Sequence, residues 1–232
     1  MTPAMRPALA LVLTCALVVA APALADPAGM SRTGQPTNVR IRGENFIVDG
    51  FRTAHFGMTP DEVRAAVAKD LPAAILGELT ADPVNRTRFF TAAMPALKPG
   101  PGPASVTYVF GSASGRLMHV NVEWTLADPS ADERKALTAS GATVVQGFAG
   151  FYWRLLTVAR GVPVGPNTLI LFTGGGEKGG VVEVRLSGVA YTVQTDKGEV
   201  ASPAPKGPAS LRIAFAQADS APDAFTLKPG SF

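Results

Sequence analysis

An α+β fold, mainly antiparallel sheet with two helices packed on one face, is what this chain predicts, and three observations carry it. A capped helical segment opens at Thr59, a pair of alternating strands flanks a small-residue turn near Gly111, and the connections are short and rich in glycine and proline. Short connections favour hairpins over the long crossovers that parallel sheets need. The second half repeats the order of the first, a helix and then strands, so a tandem of two helix-plus-strands halves over 43–126 and 127–232 is also consistent with the pattern.

The chain begins with what reads as an export signal over residues 1–25. Arg6 supplies the positive region, Pro7 to Val19 the apolar stretch, and Ala23-Leu24-Ala25 before Asp26 the small-x-small cleavage pattern. A retained membrane anchor is the alternative, but the apolar run falls short of the about 20 residues that cross a bilayer. A lipid-modified Cys15 is the other, and Thr14 is a poor residue to precede it. Cleavage would remove Cys15, the single cysteine among 232 residues, leaving no thiol nucleophile, no cysteine metal site and no disulfide. A body of about 200 residues buries enough surface to do without such staples. The expected location is the periplasm or the exterior, with no transmembrane segment after cleavage.

Charge excludes one class of partner. Twenty-one basic residues against 18 acidic give a net charge of +3, and loss of Arg6 with the leader brings the balance closer still. Nucleic-acid binders carry a marked basic excess, so none is expected here.

Residues 26–42 are polar and aperiodic and read as a flexible leader. Gly50 to Met58 is an extended lead-in whose Phe51, Phe56 and Met58 cover the start of the first helix. There Thr59-Pro60-Asp61-Glu62 combines a capping hydroxyl, a proline at the first helical position and a glutamate three residues after the cap. Val63, Ala66, Val67 and Leu71 recur at helical spacing, and Pro72 ends the run.

A strand is expected over 86–93. A hairpin follows, with Ala104 to Phe110 and Leu117 to Leu126 joined through Gly111-Ser112-Ala113-Ser114-Gly115-Arg116. Alternation places Met118, Val120, Val122 and Trp124 on one face and Leu117, His119, Asn121 and Glu123 on the other. A second helix is predicted from Asp128-Pro129-Ser130 toward Phe148. Strands are predicted at 152–159, 168–173, 181–193 and 210–216, with loops at 95–103, 161–166, 174–180 and 203–208.

Two glycine motifs invite catalytic readings and fail them. Gly174 to Gly180 places Lys178 before two glycines and a strand, not before Ser or Thr and a helix as a phosphate loop requires. Gly111 to Gly115 has Ala113 where a nucleophile elbow needs serine, and sits between two strands. His119 and Glu123 share a strand face but stand about 13 Å apart at the rise of a strand, too far to share one metal. His119 and Asn121, about 6.6 Å apart, are close enough to line a polar patch or to meet residues from another strand. No cofactor or metal is expected.

The segment Phe51-Arg52-Thr53-Ala54-His55-Phe56-Gly57-Met58-Thr59, followed by Glu62-Val63-Arg64, resembles the opening of a family of exported proteins of Gram-negative bacteria. Gly57-Met58-Thr59 with Glu62-Val63 is also similar to an element of the SmpA/OmlA-type outer-membrane assembly lipoproteins and of modules like the β-lactamase inhibitor protein. The assembly lipoproteins carry a lipobox that this leader lacks. The resemblance implies a helix packed on an antiparallel sheet, and a binding or envelope-assembly role through protein contacts, with an envelope protein as partner. The candidate contact residues are Arg52, His55 and Arg64 beside that element, His119 and Asn121 on the hairpin, and Tyr152 and Arg154 where the aromatics Phe148, Phe151, Tyr152 and Trp153 precede Arg154, since aromatics with arginine are enriched at interfaces. A small-ligand carrier and an enzyme using His119 with carboxylates are the alternative readings.

Overall fold

The computed structural model describes residues 43–195, 198–217 and 222–225. The predicted signal segment and the leader over 26–42 lie outside the described residues. In chain order the elements are β1 (Gly50–Phe51), β2 (Ala54–His55), α1 (Pro60–Asp70), β3 (Ile75–Leu76), β4 (Thr80–Ala81), β5 (Arg88–Met94), β6 (Ala104–Phe110) and β7 (Leu117–Leu126). Then follow α2 (Ala131–Ala149), β8 (Ala159–Gly165), β9 (Thr168–Gly175), β10 (Val181–Ser187), β11 (Thr192–Thr195), β12 (Gly198–Ala201) and β13 (Ala209–Ala216).

The long strands form one antiparallel sheet in the order β3-β5-β6-β7-β13-β10-β9-β8, with β4 also paired to β5. The first half therefore runs from one edge to the middle as a meander, and the second half does the same from the other edge. The last strand of each half meets the other along β7 and β13, whose eight paired positions run from Ala209 opposite Leu126 to Ala216 opposite His119. The α+β class and the antiparallel sheet are as the sequence predicts.

Both helices start at capping boxes. Thr59 and Ser130 each accept from the backbone N–H of the glutamate three residues on, and Glu62 and Glu133 reach back to the cap N–H at 2.7 Å and 2.8 Å. Val63 and Val67 of α1 and Leu137 of α2 enter the core. That core is one continuous cluster on a single face of the sheet, in which Phe90, Tyr108, Val120, Trp124, Leu211, Val184 and Phe172 are buried. Alternation along the central strands sends about every second residue there, and both helices pack on that side.

Four predicted details differ. At β6–β7 a register shift between Val109 and Phe110 puts Leu117 opposite Phe110 and His119 opposite Val109, so Leu117 is buried in the core and Met118 is not. A bulge breaks strict alternation, and the period-two reading cannot see it. Residues 152–158 form a loop, not a strand; only Tyr152 makes an isolated bridge, to Asn45. The predicted loop over 161–166 falls almost wholly in β8, which tolerates Pro163 because it is an edge strand. The long strand predicted over 181–193 stops at Ser187, and Thr192 begins a separate hairpin with β12.

Candidate functional site

The sheet has a second face, opposite the helices, and its residues follow directly from the register. One row across the strands reads Thr91, Thr107, Asn121, Ala214, Glu183 and Thr173. The adjacent row reads Ala93, Ser105, Glu123, Arg212, Arg185 and Ile170, and the row on the other side carries Phe89, Val109, His119, Ala216 and Val181. Six strands thus place a polar, charged surface back to back with an apolar core.

Its centre is a three-residue cluster. Glu183 lies diagonally from Arg212 on β13 and two residues from Arg185 on its own strand. Arg212 Nη2 donates to Glu183 Oε1 at 3.0 Å, and Arg185 Nη2 donates to Oε2 at 3.2 Å. The side chains keep 23%, 35% and 36% of their exposure, so the cluster is half-solvated and lies along the sheet. One carboxylate thus serves two guanidiniums, whose Nε atoms, like Asn121 Oδ1, are covered and have no hydrogen-bond partner among the described residues. Beside them Thr91 and Thr107 join hydroxyl to hydroxyl at 3.0 Å.

His119 stands at the end of this surface, half-buried. Burial, and secondarily the Arg212 guanidinium, hold its imidazole below the ordinary value, while Glu183 works in the opposite direction. With Ser114, Met118, Lys178, Gln217 and Asp223 it lines an open cleft of about 430 Å³. Asp223 does not meet the imidazole; its carboxylate accepts from the N–H groups of Ala113 and Ser114 at 2.9 Å and 2.8 Å. The Ser114 hydroxyl first, then these two amides, hold it below its ordinary value.

The seven candidate residues fall into separate groups. His119 and Asn121 are together on the outer face. Arg52 caps the end of α1, donating to the Asp70 carbonyl at 3.2 Å, and Arg64 donates to the Gly77 carbonyl at 2.9 Å with its guanidinium 4.5 Å from the Phe90 ring centre. His55 is exposed and pairs with Asp49, Nδ1 to Oδ2 at 3.2 Å. Tyr152 and Arg154 lie in the link between α2 and β8, where Phe46 stacks on Trp153 and Phe148 on Phe172. Tyr152 is held through its backbone to Glu44 and Phe46, and Arg154 donates its N–H to Gly175.

Glu183, Arg185 and Arg212 were not among the candidates. The alternation Val182-Glu183-Val184-Arg185-Leu186 shows that β10 has a charged face, but that this face adjoins Asn121 follows only from β13 lying between β10 and β7. Among the described residues no group of three or more His, Cys, Asp or Glu is placed to hold a metal ion, and no helix is long and apolar enough to cross a membrane. Comparison with family models, curated proteins and solved structures finds no significant match to this chain.

Proposed function

We propose that this chain is an exported, non-catalytic binding or envelope-assembly module that acts through protein contacts, and that the outer face of the sheet is its contact surface. One observation carries the reading. Four adjacent strands present Thr107, Asn121, Glu123, Glu183, Arg185 and Arg212 on a face that neither helix covers, and the guanidiniums there are held in position by a shared carboxylate. Such a surface recognises a partner by fixed charge and hydrogen-bonding geometry, with arginines of the kind favoured at interface centres. The leader over 1–25 supports export, and the resemblance of the Gly57 to Val63 element to assembly lipoproteins supports an envelope protein as the partner.

The test is capture from a solubilised envelope fraction with the wild-type chain and with the double variant Arg185→Glu/Arg212→Glu. A partner retained by the wild type, lost by the double variant and retained by Arg64→Glu supports the reading. Equal recovery by all three places the contact elsewhere and contradicts it.

A further inference from the structure

The β6–β7 turn, Gly111 to Arg116, holds a carboxylate in a way that suits a ligand better than a structural strut. The turn is shaped by its own hydrogen bonds: Gly111 N–H to the Arg116 carbonyl, Gly115 N–H to the Gly111 carbonyl, and Arg116 N–H to the Ser114 hydroxyl. Three successive amides, Ser112, Ala113 and Ser114, are left pointing at one place. All three are taken by Asp223, more than one hundred positions away, through its carbonyl at 2.8 Å and its two carboxylate oxygens. Consecutive N–H groups of this kind form an anion cradle. Gly111 is part of it, because a β-carbon there would overlap the Asp223 carboxylate and the Ser114 hydroxyl.

A second turn receives the same short segment. Asp82 Oδ1 accepts from the N–H groups of Val84 and Asn85 at 2.7 Å and 3.0 Å, bonds that shape the β4–β5 turn from within. The Asn85 carbonyl accepts from Phe225 N–H at 2.8 Å, and the Arg86 guanidinium lies 3.7 Å from the centre of the Phe225 ring. Asp223-Ala224-Phe225 belongs to no strand or helix and makes no contribution to the buried core. Both receiving turns are therefore preformed, and the segment reaches them through one acid with its own carbonyl, one amide and one ring.

We propose that these two turns form a recognition site for peptides of the pattern Asp-x-Phe, and that the chain's own residues 223–225 occupy it as an internal ligand. The cradle reads the carboxylate, the Asn85 carbonyl sets the spacing of two residues, and Arg86 reads the aromatic ring by a cation–π contact. Arg88, whose guanidinium lies against Gly115, adds positive charge beside the cradle and favours an acidic segment. A partner carrying the same pattern enters by displacing the internal copy, so the site is self-masked at rest. This site lies at the turns and not on the outer face, and it stands or falls independently of the reading given above.

A fluorescent synthetic peptide with the sequence of residues 221–227 tests it against three forms of the full chain: wild type, Asp223→Ala/Phe225→Ala, and that double variant with Gly111→Ala added. The expected result is binding to the double variant at least tenfold tighter than to the wild type, with binding lost on adding Gly111→Ala and lost when the peptide carries Asn in place of Asp. Equal binding to wild type and double variant, indifference to Asn, or no binding to a double variant with a native near-ultraviolet circular dichroism spectrum would each overturn the proposal. So would loss of that spectrum in the double variant, which would make the segment an integral strut. In the unaltered chain, amide exchange at Ala113 and Ser114 should run at least tenfold faster than at Val122; equal rates also contradict displacement.

Discussion

Trp124 donates its indole N–H to the Leu97 carbonyl at 2.8 Å, inside the core at the end of the sheet where the 95–103 loop returns over it. The loop can come this close because Gly100 lies flat on the indole, where a β-carbon would overlap the ring. Ser140 of α2 fastens the same loop, its hydroxyl donating to the Pro99 carbonyl at 3.0 Å.

Trp124→Phe is therefore expected to leave the Leu97 carbonyl unpaired and to cost about 1–3 kcal/mol of stability. Gly100→Ala forces the loop off the ring, and overpacking of this kind costs about 1–3 kcal/mol. Urea unfolding followed by tryptophan fluorescence measures both. The double variant should cost less than the sum of the two, because both act on one contact.

The capping boxes give a second expectation. Thr59→Ala and Ser130→Ala should each cost about 1 kcal/mol and should add, since each cap serves a different helix. Chemical denaturation of the two single variants and the pair checks this.

Stability should fall in acid, with the sign set by depressed carboxyl values. Glu62 and Glu133 are held low by their capping hydrogen bonds, Asp70 by the Thr53 hydroxyl and amide, Asp82 by the Asn85 and Val84 amides, and Asp223 by the Ser114 hydroxyl and turn amides. Because these groups bind protons more readily in the unfolded chain, their contribution is complete above the ordinary carboxyl values near 4 and is lost as the pH falls through the lower folded values. His119 contributes at higher pH. Its folded value lies below the ordinary 6.5, so the unfolded chain takes up a proton first and stability declines as the pH drops from that point. Thermal unfolding across the acid range should show both declines, and His119→Gln should remove the one that begins near 6.5.

Glu183→Ala leaves Arg185 and Arg212 side by side without their shared counter-charge. A loss of roughly 1 kcal/mol is expected, modest because the cluster is half-solvated, and it should shrink as salt screens the two guanidiniums. Arg212→Ala should cost less, since Glu183 keeps Arg185. Denaturation at low and high salt distinguishes this from a packing defect, which salt leaves unchanged.

What the sequence made legible was local. The β6–β7 hairpin and both helix starts rest on alternation and capping, which act within a few residues, and the strand bounds Ala104–Phe110 and Leu117–Leu126 are those expected. What it hid was set by distant partners or local exceptions. The bulge that turns Leu117 inward depends on β6, and β8 carries Pro163 because among the described residues it is an edge strand. His119 and Asn121 were legible as one face of one strand. Glu183, Arg185 and Arg212 join them through the meeting of β7 and β13, which brings together strands some ninety residues apart, and no period in the sequence encodes that pairing.

Site-specific photo-crosslinking in the native envelope bears most directly on the proposed contact surface. With a photoreactive residue placed at position 107, 121 or 212 on the outer face, or at 135 or 142 on the exposed side of α2, one discrete adduct is expected from the first three positions and none from the last two. Adducts confined to the helix positions, or equal at all five, would contradict a contact surface on the outer face of the sheet.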